Sequence, residues 1–208
     1  MENAQKLVDA YKQLGLEKGV LSVSRKEIAA AANLEFDDFV AAFPSLEALQ
    51  SAVWTQYLRN TLETLETSEE FIQYSVREKL LAYYYTFFEL IGQEAEFVNL
   101  FGSKLGIWNY EPSFLKPFKE AFLAFISSLL SEGIESGEIE ERMVLGTEYV
   151  GWHWPQMLFL LNKWVDDKGE TKESSDQAIE KAVNLGFDIM GRNLFDSAFD
   201  FAKYMFTS

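Results

Sequence analysis

The sequence predicts an all-α protein, a small three-helix unit followed by a larger helical bundle. Three observations carry this. Apolar residues recur at three- and four-residue steps along almost the whole 208-residue chain. Ser, Gly and Pro interrupt that pattern at helix-length intervals. No stretch alternates apolar and polar residues with the period of two that a half-buried strand needs.

The first unit reads as three short helices. Leu7, Val8, Tyr11, Leu14 and Leu16 mark a helix from about Ala4, stopped by Gly19. Ser24 and Glu27 have the spacing of a capping box, in which each side chain serves the other residue's backbone N–H. An Ala-rich run follows from Ile28 to Ala32. Asn33 suits a tight turn because it tolerates the left-handed conformation. Phe36, Phe39, Val40 and Phe43 then share one face of a further short helix. Pro44 ends it, and Ser45 is placed to cap a helix beginning at Leu46. Three helices with such turns have the layout of a helix-turn-helix DNA-binding bundle.

The remainder reads as longer helices. A linker helix runs from Leu46 to about Glu66. Ser68 and Phe71 open a helix expected to reach Ile91 and to end at Gly92, and a shorter one covers about Glu94 to Leu105. After a break at 106–112, Pro112 or Ser113 starts a helix closed by Gly137. The next spans Glu140 to about Trp164 and contains Pro155. A polar loop, 166–175, precedes the last helix, for which Ser174 and Gln177 suggest another capping box and which is expected to reach about Tyr204.

Charge bears on function. The formal net charge is −15, and the pI is about 4.5. Residues 1–66 hold 6 basic and 10 acidic groups and the rest 12 and 23, so neither part is basic. Such a field repels polyanions. With no cysteine there is neither a disulfide nor a thiolate metal site. Wholly apolar runs, such as Met157 to Leu161, fall far short of the roughly 18 residues a membrane helix needs. A cytoplasmic protein with no membrane partner is expected.

Residues 4–58 resemble the N-terminal domain of the TetR family of bacterial transcriptional regulators. The resemblance rests on Glu17-Lys18-Gly19, Ile28-Ala29, Ala31-Ala32, Phe43-Pro44-Ser45 and Glu47-Ala48-Leu49. It implies a helix-turn-helix domain over 1–46, the linker helix 46–66, and a C-terminal ligand-binding and dimerisation domain over 67–208. The departures fall where the family meets DNA. Glu35, Phe36, Asp37 and Asp38 stand where the family favours a Ser-Lys-Gly-Thr-like run, and Asn33 where it usually has glycine. Val40 replaces a phosphate-touching tyrosine, Ala41 a polar residue and Leu46 a lysine. The apolar positions Ile28, Leu34, Phe39 and Phe43 keep their character. Residues 1–46 hold five basic groups against seven acidic ones. Duplex affinity rests largely on Lys and Arg neutralising phosphates. Ordinary operator binding is therefore the part of the resemblance that the residues speak against, with Arg25 and Lys26 left as possible backbone contacts.

The second half supplies candidates for sensing and pairing. The chain has 18 Phe, 9 Tyr and 5 Trp, and small-molecule sites are apolar clefts with a few polar groups. The family's effector site lies in this domain. Its expected lining is drawn from Tyr84, Phe88, Phe101, Trp108, Phe122, Trp152, Met157 and Leu161, with His153, Tyr149 or Asn109 as polar anchors. The last helix carries more apolar circumference than one neighbour can cover, so Val183, Phe187, Met190, Leu194, Ala198 and Phe201 are its expected dimer face.

Catalysis is not expected. His153 is the chain's single histidine, and no nucleophile elbow, phosphate loop or dinucleotide fingerprint is present. No cofactor or metal is implied. The sequence thus reads as a TetR-like regulator that senses a small hydrophobic or aromatic ligand. Its expected partners are a second copy of itself, that ligand and, less readily, duplex DNA. The alternatives are a TetR-fold protein that binds a ligand or lipid without DNA, and a dimeric module whose acidic head docks another protein.

Overall fold

The computed structural model describes residues 2–102, 105, 112–139, 146–169 and 172–190, and of residues 146–149 and 188–190 the backbone alone. Ten α-helices and no strand are found among them. The head consists of α1 (Glu2–Lys18), α2 (Arg25–Ala31) and α3 (Phe36–Ala42), packed on one another. Gly19 at φ 88° ends α1, and Asn33 at φ 54° makes the turn between α2 and α3. The capping box forms as expected: Ser24 N–H donates to Glu27 Oε2 at 2.9 Å and Glu27 N–H to Ser24 Oγ at 3.3 Å.

Ser45 Oγ accepts from Ala48 N–H at 3.0 Å and starts α4 (Leu46–Glu66). This 21-residue helix leaves the head and buries Leu49, Val53, Trp54, Tyr57, Leu58 and Leu65. It packs against α6 and α8. A fully buried Leu, Val or Phe side chain contributes about 1.5–3 kcal/mol relative to exposure, so α4 is fixed to both parts of the molecule.

The helix expected from Ser68 to Ile91 is in fact two. After α5 (Glu69–Gln73) the backbone turns extended at Tyr74, and α6 (Val76–Gly92) begins anew. The cause is a second reciprocal cap, Ser75 with Glu78, which competes with helix continuation. Next, α7 (Ala95–Asn99) is shorter than expected, giving way to turns at Phe101 and Leu105. A 3-10 turn at Ser113–Leu115 leads into α8 (Lys116–Ser136), which Gly137 closes in the left-handed region at φ 80°. Pro155 lies inside α9 (Gly146–Asp166).

The last described helix, α10 (Glu173–Met190), corrects a further expectation. Ser174 lies inside it and does not cap it. The Asp167 carboxylate takes that role, accepting from Ser175 N–H at 3.0 Å and Ser175 Oγ at 2.9 Å. Helix α10 packs on α6 and α9, and α9 on α8. The reach of the last helix beyond Met190 lies outside the described residues. No described helix is long and apolar enough to cross a membrane.

Candidate functional site

Helix α3 is held from below by aromatic rings. Phe39 is fully buried and stacks on Phe36 at 6.4 Å between centroids. Phe43 is buried beside it. The opposite face is open, with Glu35, Asp37, Val40 and Ala41 exposed and Leu46 half-buried. Asp38 is half-buried and occupied: its Oδ2 accepts from Glu35 N–H at 3.1 Å, which ties the first turn of α3.

All five cations of residues 1–46 are engaged. Lys6 pairs with Glu2 at 2.7 Å, Lys18 with Glu27 at 2.8 Å and Lys12 with Glu94 at 2.7 Å. The Lys18 partnership and the Ser24 bonds together hold the Glu27 carboxyl down to about 2. Arg25 and Lys26 bracket the Phe36 ring, 5.5 and 5.8 Å from its centroid, and Arg25 also donates to Pro44 O at 3.3 Å. A cation over a ring keeps its charge and much of its hydration. Arg25 and Lys26 are exposed and are the head cations with no carboxylate partner among the described residues.

The head is bound to the rest of the chain at one seam. The Glu94 carboxylate, in the turn between α6 and α7, accepts from Lys12 of α1 and from the Tyr57 hydroxyl of α4. The Lys12 ammonium also lies 4.9 Å from the Tyr57 ring centre. Burial, with the Glu94 bond and charge beside it, raises the Tyr57 phenol. Alongside, Tyr11 meets Phe97 edge-on at 5.8 Å.

Beyond the seam lies an aromatic interior between α4, α6, α8 and α9. Trp54 packs on Phe101, Phe114 and Phe118 at 5.7, 6.3 and 6.3 Å, and Phe118 on Phe122 and Trp154 at 6.2 Å each. Tyr84, Phe88, Phe101, Phe122, His153, Met157 and Leu161 are all buried. A polar chain crosses this interior. Gln156 Nε2 donates to Ala182 O at 2.7 Å, which orients the amide. Gln156 Oε1 then accepts from Tyr84 Oη at 3.2 Å and from His153 Nδ1 at 2.9 Å. His153 accordingly carries its proton on Nδ1. Burial lowers its pKa, against the opposing effect of the Gln156 bond.

Residues 79–205 match the family model described as the tetracycline-repressor-like C-terminal domain. The chain belongs to the TetR family of transcriptional regulators. Solved structures of TetR-family proteins share its fold. FadR of Thermus thermophilus, a TetR-family repressor in complex with lauroyl-CoA, is 18% identical, covers 91% of this chain and 96% of its own, and gives a TM-score of 0.69. A protein of Syntrophomonas wolfei assigned to the TetR regulators is 18% identical, with 93% and 97% covered and a TM-score of 0.66. FadR of Bacillus subtilis in complex with stearoyl-CoA is 19% identical, with 86% and 97% covered and a TM-score of 0.60. At such identities the likeness is one of fold. A search of curated proteins returned no significant match.

In this TetR-family chain the interior gathers most of the expected lining but not Trp152, which is 55% exposed. Trp152 instead borders an outer groove of about 500 Å³ between α9 and α10, with Pro155, Phe159, Ala178, Ala182 and Leu185. Val183 and Phe187 of α10 point the other way, buried in the protomer, where Arg77 of α6 covers the Phe187 ring at 5.1 Å. Trp108, Asn109, Leu194, Ala198 and Phe201 lie outside the described residues, as do the side chains of Tyr149 and Met190. Trp54, Tyr83, Phe118 and Gln156 share this interior without being among the residues expected there from sequence. The i, i+4 pair Phe118 and Phe122 was the available signal for one of them; nothing in the sequence marks Gln156.

Proposed function

We propose that this protein is a dimeric, ligand-responsive transcriptional regulator of the cytoplasm whose effector is a molecule with a long apolar part, of the fatty acyl thioester kind. The single observation that carries the reading is the route from interior to head. Trp54 of α4 sits in the aromatic interior, and Tyr57, one turn on along the same helix, is bonded to Glu94 at the seam. A ligand that repacks the rings around Trp54 therefore acts on the helix that carries α3. Two of the similar structures hold acyl-CoA, which supports the ligand class.

The outer face of α9 and α10 is the proposed dimer contact, because Trp152, Phe159 and Leu185 are 55%, 43% and 54% exposed on it and single-copy proteins rarely leave such patches uncovered. The proposed division follows the helices: a head over 1–46, α4 as linker, and the sensor over 67–208. Operator contact would fall to Arg25 and Lys26, with the exposed carboxylates Glu35 and Asp37 of α3 weakening it. A ligand binder without DNA, or a protein-docking module, is not favoured, since the family is one of transcriptional regulators. The test is a fluorescence titration of the gene's own upstream duplex at low salt, with and without lauroyl-CoA. Sequence-selective binding that lauroyl-CoA weakens supports the reading. No duplex binding in either condition overturns it.

A further inference from the structure

Two buried polar groups in the interior have no hydrogen-bond partner among the described residues, the indole Nε1 of Trp54 and the hydroxyl of Tyr83. Both residues are 0% exposed. An orphaned buried donor costs about 1–3 kcal/mol, so a fold normally supplies a partner, and this one does so nearby. Tyr11 donates to Val20 O and accepts from Gln50, Tyr57 has Glu94, and Tyr84 has Gln156. Tyr83 and Tyr84 are neighbours on α6, yet one is served and the other is not.

The two orphans border one cluster of rings from different sides. Trp54 packs on Phe118, and Tyr83 on Phe87 and Phe122 at 6.0 and 5.5 Å. Phe118 touches Phe87 at 5.5 Å and stacks on Phe122 at 6.2 Å. Between Trp54 on α4 and Tyr83 on α6 there is thus a block of three phenylalanines and, among the described residues, no acceptor for either group. Phenylalanine side chains turn on two single bonds, so such a block can part without breaking a hydrogen bond.

We propose that Tyr83 Oη and Trp54 Nε1 are the polar anchors of the effector site, and that they recognise an apolar molecule bearing a buried carbonyl oxygen. Indole N–H donates only. Burial holds the Tyr83 phenol well above its ordinary range, so it too is a neutral donor at pH 7. Two neutral donors in an apolar enclosure select an acceptor without charge, such as a thioester or ester oxygen, over a carboxylate. The inference rests on the proposed acyl-ligand reading and adds which atoms read the acyl group.

The test uses the full chain, with calorimetric binding and thermal melts. The probes are lauroyl-CoA, its dodecyl thioether analogue, which lacks the oxygen, and free laurate. Wild type is expected to bind lauroyl-CoA at least tenfold more tightly than either other compound. Tyr83→Phe is expected to melt no lower than wild type in the absence of ligand, to bind lauroyl-CoA about tenfold more weakly, and to bind the thioether unchanged. Tyr84→Phe, which removes a hydroxyl that has a partner, is expected to melt lower. A lower melting point for ligand-free Tyr83→Phe, or lauroyl-CoA affinity equal to wild type, overturns the assignment alone. Equal wild-type affinity for lauroyl-CoA and the thioether likewise overturns the assignment alone, whereas failure of wild type to bind lauroyl-CoA at all overturns the acyl-ligand reading and the assignment with it.

Discussion

Lys12 and Glu94 meet at 2.7 Å across the seam between the head and the turn that follows α6. The lysine is largely covered, with 18% of its side chain exposed, and the glutamate 38%. Because Glu94 also takes the Tyr57 hydroxyl, one carboxylate fastens α1 and α4 to the sensor. A double-mutant cycle with Lys12→Met and Glu94→Gln should give a coupling of about 0.5–1 kcal/mol in chemical unfolding, the range for partly exposed pairs. Additive single effects would mean that the pair does not hold the seam.

The carboxylates of α3 should separate by function. Asp38→Ala removes the bond to Glu35 N–H and should destabilise the head by about 1 kcal/mol. Asp37 is exposed, so Asp37→Asn should change stability by less than about 0.5 kcal/mol, while Asp37→Lys should strengthen duplex binding at low salt. With Arg25 and Lys26 as the cations facing phosphate, two per head and four per dimer, log affinity against log salt should have a slope of about −3.6. A slope near −10 would show that other cations are used.

His153 should make stability depend on pH over a defined window. Burial lowers its folded pKa below the ordinary 6.5. The unfolded chain therefore binds the proton first, and the contribution is fully present above pH 6.5. It declines as pH falls below 6.5 through the folded pKa. Because the chain has one histidine, melts of wild type and His153→Gln compared from pH 8 to 5 isolate it. Wild type should lose more stability than the variant below pH 6.5, and parallel curves would refute the buried neutral imidazole.

Charge placed on the outer groove should separate the protomers. Leu185→Glu and Phe159→Glu both put a carboxylate on a half-exposed apolar position. Sedimentation should then move from a dimer to the 23.9 kDa chain, with helix content unchanged. A dimer surviving both substitutions would locate the contact elsewhere.

Much of the head could be read from sequence because its signals are local. Ser24 with Glu27, Asn33, and Pro44 with Ser45 each act within a few residues, and each does in the structure what its spacing predicts. The sensor was less legible. Ser75 with Glu78 is the same kind of local signal, but it sits inside a continuous apolar pattern that reads as one helix. Ser174 with Gln177 has capping spacing, yet Asp167, at the start of the preceding loop, takes the capping role through contacts eight residues apart.

The sequence by itself determined the all-α class, the helix-turn-helix layout and the acidic exposed half of α3, since each follows from local spacing and from charge that solvent leaves in place. Tertiary structure decided what those residues meet. The faces of α9 and α10 are both apolar enough to be buried, so periodicity could not say that Val183 and Phe187 turn inward while Trp152 and Leu185 stay outside. Nor could it say that Tyr84 finds Gln156 while Tyr83 finds no partner among the described residues. Hydrogen-bond satisfaction depends on which distant helix lies opposite, and only packing sets that.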